Sequence, residues 1–124
     1  MKYAVIGSRG FEDWQFLCNI MGGFTCSAII SGGAKGADRL AAKYAKLKNI
    51  PLVEFIPDWE TFGKSAGFIR NEKIISGCDE VIAFWDGKSA GTGASIKLAK
   101  KQKKNVHIFW AEKGDEHDTN RSTV

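Results

Sequence analysis

The sequence predicts an α/β fold: one domain with a mainly parallel five-stranded sheet and helices on both faces. Three observations predict it. Short apolar runs rich in β-branched and aromatic residues alternate with longer segments of helical spacing. The resulting order is βαβαβαβαβ, and strands joined by crossover helices form parallel sheets covered on both sides. The chain has 124 residues, enough for one domain of ordinary size that needs no disulfide or metal to fold.

The strands are read at 2–7 (KYAVIG), 27–31 (SAIIS), 51–56 (PLVEFI), 80–85 (EVIAFW) and 105–110 (NVHIFW), each bounded by turn residues. In the first helix, Leu17, Ile20, Met21 and Phe24 follow the i, i+3, i+4, i+7 pattern of one buried stripe. In the second, Ala37, Leu40, Ala41 and Tyr44 do so, with Asp38, Arg39, Lys43 and Lys46 opposite. In the third, Phe68, Asn71, Ile74, Ile75 and Cys78 share a face, which puts Asn71 on the buried side and Arg70 near the rim. The fourth carries IKLAKKQKK, whose Lys97, Lys100, Lys101, Lys103 and Lys104 are read as one solvated outer face. The domain is expected over residues 1–112, and the polar, aperiodic stretch 113–124 as a flexible tail.

Composition narrows the function classes. Hydrophobic residues make up 44% and charged residues 26%, the balance of a soluble globular protein, with no apolar run near the ~20 residues of a membrane span. The start, MKYAVIGSRG, has no signal-peptide character, and Cys18, Cys26 and Cys78 form no CxxC pair. These features predict a cytoplasmic protein with reduced, buried cysteines. No metal-ligand spacing and no nucleophile–base constellation is present, so no metal site and no cofactor is expected. The net charge of +4 comes largely from the lysine-rich segment, and nucleic acid is the less favoured partner.

Parallel topology sorts the loops. Segments leaving the strand ends lie on the carboxyl edge of the sheet, where open α/β folds bind ligands. They are GSRGFED, SGGAKGAD, PDWETFGKSAGFIRN and DGKSAGTGA, whereas the returning connections are short and chemically plain. In SGGAKGAD, Ser31, Gly32, Gly33 and Gly36 lead directly into a helix, a geometry that turns free amides toward an anion at the positive end of the helix dipole. The competing reading is close strand–helix packing. Lys35 either pairs with phosphate or faces water, and Asp38 either caps the helix or meets a sugar hydroxyl. In DGKSAGTGA, Ser89, Gly91 and Thr92 form a second helix entry, and Asp86 is a turn-former or an acid–base carboxylate. Gly7 and Ser8 suggest another tight turn, and Arg9 a fixed charge. Trp59 is placed on a base or as a core plug, and Arg70 and Asn71 in the site.

Taken together, GSR, SGGAKGAD, DW…FGKSAGFIRN and AFWDGKSAGT…I resemble the YspA, cpYpsA-related branch of the SLOG superfamily, over about residues 3–110. The resemblance implies a Rossmann-like fold and a nucleotide-type ligand in the same crevice, in a superfamily that includes Lonely-Guy phosphoribohydrolases and DprA, and often a homo-oligomer. Lonely-Guy enzymes use an arginine–lysine pair and a glutamate. Here Arg70 matches the arginine, Asn71 stands in the lysine's place and Ser95 in the glutamate's. Serine cannot do the work of that carboxylate. The expected function is therefore binding of a nucleotide or nucleotide-derived signal, such as an ADP-ribose or cyclic nucleotide derivative, by a sensor or sequestering protein. N-glycosidic hydrolysis, with Asp86 or Glu72 as the carboxylate, is the alternative, and DprA-like nucleic-acid binding is a further one.

Overall fold

The computed structural model describes residues 1–111. The five strands are β1 (Lys2–Gly7), β2 (Ala28–Ser31), β3 (Leu52–Glu54), β4 (Glu80–Trp85) and β5 (Val106–Trp110), and every pairing between neighbours is parallel. Their order across the sheet is β3-β2-β1-β4-β5. The chain thus winds outward from β1 to β3, returns to the other side of β1, and winds outward again. Right-handed crossovers then put the helices of the two halves on opposite faces.

Helices α1 (Trp14–Met21) and α2 (Ala37–Leu47) cover one face. There Val5, Leu17, Ile29, Ala41, Ile82 and Phe84 are fully enclosed, and Phe84 stacks on Phe11 with ring centroids 5.0 Å apart. Helices α4 (Ala66–Gly77) and α5 (Ala90–Lys101) cover the other, packing on Ala4, Ile30, Val81 and Ala83. Alternate residues of β1 serve the two cores, Tyr3 and Val5 one, Ala4 and Ile6 the other, as a two-sided strand requires.

The segment 57–71, read from sequence as one long loop, is mostly helical. Its short helix α3 (Trp59–Phe62) is capped by Asp58, whose Oδ1 accepts the Thr61 amide at 3.1 Å, and a 3-10 turn at Gly63–Ser65 leads into α4. The buried stripe of α4 is Ala66, Ile74 and Ile75; Phe68, assigned to that stripe by periodicity, is 63% exposed. The reason is geometric. Helix α4 packs on β1 and β2 through Ile74 and Ile75, and in its first turn Ala66 is the buried residue while Phe68 is turned out to solvent. Helix α1 ends at Met21, and Phe24 reaches the core from the following turn, edge-on to Tyr3 at 5.1 Å.

Two composition-based readings also change. Lys103 and Lys104 lie beyond the end of α5, and Lys104 is not a solvated charge. Its Nζ donates to the carbonyls of Ile75 (2.7 Å), Ser76 (3.2 Å) and Cys78 (2.6 Å), closing the C-terminus of α4 where carbonyls lack helical partners. The three cysteines are free, but only Cys78 is buried; Cys18 and Cys26 are half-buried. The tail assigned to 113–124 lies outside the described residues. Among those residues, no helix is long and apolar enough to cross a membrane.

Candidate functional site

The reversal of strand direction of travel falls between β1 and β4, and this is where a doubly wound sheet opens a crevice. Gly7 pairs in register with Phe84, so the two strands end level and their loops emerge side by side. The space between them is a cavity of about 340 Å³. Its wall includes Gly7, Arg9, Asp38, Arg70, Asn71, Ser89, Gly91, Thr92 and Ser95. Sequence reasoning assigned these positions to the site except Ser95, named only as standing where Lonely-Guy enzymes have a glutamate, and it did not single out Ala34 or Ala90, which also line the wall.

The β1 side is built for close approach. A side chain at Gly7 would strike the Phe84 carbonyl and sit 2.6 Å from the Ala37 Cβ, so glycine lets the start of α2 dock on the end of β1. Ser8, 4% exposed, stitches the two loops together. Its amide donates to the Phe84 carbonyl at 3.0 Å, its Oγ accepts the Asp86 amide at 3.2 Å, and it lies 3.1 Å from Ser89 Oγ. Ser8 O also accepts from Ala37 N at 3.3 Å.

In SGGAKGAD the helix entry is already served by a carboxylate from its own helix. Gly36, at φ +78°, has no side chain because the Ser8 and Arg9 carbonyls pass directly over it. Asp38 does not cap α2; its Oδ2 folds back to accept the Ala34 amide at 3.2 Å. Ser31 is fully buried, and its Oγ takes the Gly33 amide in a long 3.5 Å contact. Arg70 reaches the same loop, donating from Nη1 to the Gly32 carbonyl at 2.7 Å and from Nε to Asn71 Oδ1 at 2.7 Å. Asn71 is half-buried and fixes the guanidinium. A Cβ at Gly32 would lie 2.6 Å from Arg70 Nη1 and 2.9 Å from Asp38 Oδ2, so both side-chain ends would have to shift to admit it.

Burial pushes the Asp38 carboxyl above its ordinary value, against the pull of the Ala34 amide, the Arg70 cation and the Gly32 amide. Burial likewise lowers the Arg70 guanidinium, opposed by Asp38 and assisted by the like charge of Arg9. Arg70 remains a cation throughout the physiological range.

The opposite wall is open. Ser89 precedes α5 without a side-chain cap, and the first turn of the helix faces the cavity. Thr92 and Ser95 are 8% and 5% exposed, line the cavity, and have no hydrogen-bond partner among the described residues. A Cβ placed at Gly91 would meet nothing within 4 Å. The loop behind this turn is held rigidly. Asp86 Oδ1 accepts the amides of Lys88 and Ser89, each at 2.8 Å, and Oδ2 accepts the Ser89 hydroxyl at 3.0 Å. Partial burial works to raise the Asp86 carboxyl, but the Ser89 and Lys88 amides and the Ser89 and Ser8 hydroxyls hold it below its ordinary value. Trp85, which sequence reasoning did not single out, donates from Nε1 to the Ser89 carbonyl at 3.1 Å and stacks on Trp110. Only its position at the end of β4, before a Gly-rich helix entry, could have flagged it.

Several candidates lie elsewhere. Asp86 closes its own turn and, like the exposed Glu72, is absent from the cavity wall. Lys35 and Gly33 face solvent. Trp59 is 56% exposed on α3, neither a core plug nor part of the wall. Asp38 is therefore the one carboxylate among the wall residues. No group of three or more His, Cys, Asp or Glu side chains among the described residues could hold a metal.

A parallel sheet of this order, with a polar cavity at its switch point, defines a Rossmann-like α/β domain. The family model for the YspA, cpYpsA-related SLOG family matches residues 1–62. The Gene 61 protein of Mycobacterium phage D29 is 37% identical over 111 residues, an alignment covering 81% of this chain and 89% of that protein. The chain belongs to the YspA, cpYpsA-related SLOG family. The family model spans β1 to α3 and so contains SGGAKGAD, while the motifs around Arg70 and Thr92 lie beyond it.

Proposed function

We propose that the cavity binds a nucleotide-type ligand, with its phosphate at the N-terminus of α5 and between Arg9 and Arg70, and that the domain acts as a sensor or sequestering protein. Membership of the SLOG superfamily supports a nucleotide-related ligand. The observation that carries the placement is the pair Thr92 and Ser95, buried polar side chains without partners among the described residues, beneath an open first turn. Buried hydroxyls without partners are uncommon and call for an acceptor or donor from outside. The amides of that turn and the helix dipole favour a negative charge at the same point. Binding is preferred to hydrolysis because neither Asp86 nor Glu72 reaches the cavity wall.

Thermal shift across nucleoside mono-, di- and cyclic phosphates and ADP-ribose tests the reading. A ligand at a hundred times its Kd raises stability by about 2.7 kcal/mol, a shift of several degrees. Thr92→Val should abolish that shift. A panel in which no nucleotide stabilises the protein contradicts the proposal.

A further inference from the structure

The two helix entries facing the cavity differ in a way that orients a ligand. On the α2 side the backbone amides are engaged from within: Asp38 Oδ2 holds the Ala34 amide, the Gly32 amide also acts on this carboxylate, and the Ser31 hydroxyl takes Gly33. A phosphate brought to this wall would meet a carboxylate. On the α5 side the first turn is open, and the Thr92 and Ser95 side chains stand buried and, among the described residues, unpaired. Phosphate therefore has one favourable end of the cavity, and the other end presents an acceptor.

A carboxylate offers about four lone-pair positions. The Ala34 amide leaves capacity for hydroxyl donors, and the Arg70 cation, pinned by the Gly32 carbonyl and Asn71, opposes the burial that raises this carboxyl. We propose that Asp38 is the specificity-determining residue of the site, accepting hydrogen bonds from sugar hydroxyls, so that the cavity selects ribonucleotides over 2′-deoxyribonucleotides. This rests on the nucleotide reading above. A ligand spanning the cavity with phosphate on α5 presents its sugar toward the α2 wall, and the 2′-hydroxyl is the donor that deoxyribose lacks.

The test measures Kd by calorimetry for the four ribonucleoside 5′-monophosphates and their 2′-deoxy counterparts, together with ribose 5-phosphate and 2-deoxyribose 5-phosphate. Loss of a hydrogen bond to a charged acceptor is worth about 1.5–3 kcal/mol, so the ribo form should bind roughly 10- to 100-fold more tightly in at least one pair. In Asp38→Ala, with folding checked by circular dichroism, the two forms should bind within about threefold while phosphate-dependent binding persists. Equal affinity of ribo and deoxy forms for the wild-type protein overturns the role of Asp38 and leaves the nucleotide reading standing. A preference that survives in Asp38→Ala overturns it as well. Binding of none of these probes overturns the role of Asp38 for monophosphates, and the wider nucleotide panel above then decides the nucleotide reading separately. Should Asp38→Ala not fold, the wild-type ratio decides alone.

Discussion

Replacing Gly36 with alanine should unfold much of the site from a distance. Gly36 has φ +78° and ψ −129°, a region that side chains other than glycine's rarely enter, at a cost of about 1–3 kcal/mol. The new Cβ would also press into two backbone oxygens, those of Ser8 and Arg9, which cannot rotate away as a side chain could. Relief requires the β1–α1 loop to retreat by roughly 1 Å. That movement breaks the hydrogen bonds from Phe11 N (3.1 Å) and Ala37 N (3.3 Å) to Ser8 O, each worth about 1 kcal/mol. The sum is about 3–5 kcal/mol, a large part of the 5–15 kcal/mol that holds such a domain together. Urea unfolding followed by circular dichroism measures it. At an m-value of about 1–3 kcal/mol/M the midpoint should fall by more than about 1 M. Gly91→Ala supplies the control, since open space surrounds that position and the midpoint should hold or rise slightly. A Gly36→Ala midpoint within about 0.3 M of wild type would refute the packing argument.

Other consequences concern the frame of the site. Lys104→Met keeps the stem of the side chain and deletes three charge-assisted bonds to the end of α4, so it should cost about 1–3 kcal/mol in the same urea assay; no loss would mean that water serves those carbonyls equally well. The Glu80 carboxyl is held below its ordinary value, first by the hydrogen bond with His107 at 2.9 Å and then by Asn105. The folded state then takes up this proton at lower pH than the unfolded chain. The stabilisation is complete above the unfolded value, about 4.3, and drains away as pH falls through the depressed folded one. Glu80→Gln should therefore flatten the acid limb of a stability–pH curve, and an unchanged limb would contradict the pairing.

What the sequence disclosed, and what it hid, divides along physical lines. Strands β1, β2 and β4 were legible because a parallel strand buried on both faces must be apolar almost throughout, as AVI, AII and VIAF are. The loops of the carboxyl edge were legible because parallel connections leave no choice of side. Phe68 misled because periodicity assigns a face without saying which residue of the first turn is covered, and there it is Ala66. Lys104 misled because composition sees a charge and not the carbonyls 26 to 29 residues earlier that it closes. In SGGAKGAD the glycines announced a close approach, and the approaching groups proved to be Arg70, Asp38 and the β1 loop backbone. That a carboxylate four residues on would return to the Ala34 amide depends on the turn's conformation, which no spacing rule encodes. Arg70 and Asn71 were placed in the site because helical spacing set Asn71 on an inward face at the ligand edge, and both do stand inside α4.

The central claim is that the open entry of α5, not the Asp38-filled entry of α2, receives the phosphate. Amide chemical-shift mapping by NMR during titration with a nucleoside 5′-monophosphate tests it directly. The account predicts the largest shifts at the Ala90, Gly91 and Thr92 amides, with smaller changes at Gly33 and Ala34. Largest shifts at residues 32–34, or on the exposed lysine face at Lys97, Lys100 and Lys101, would contradict it.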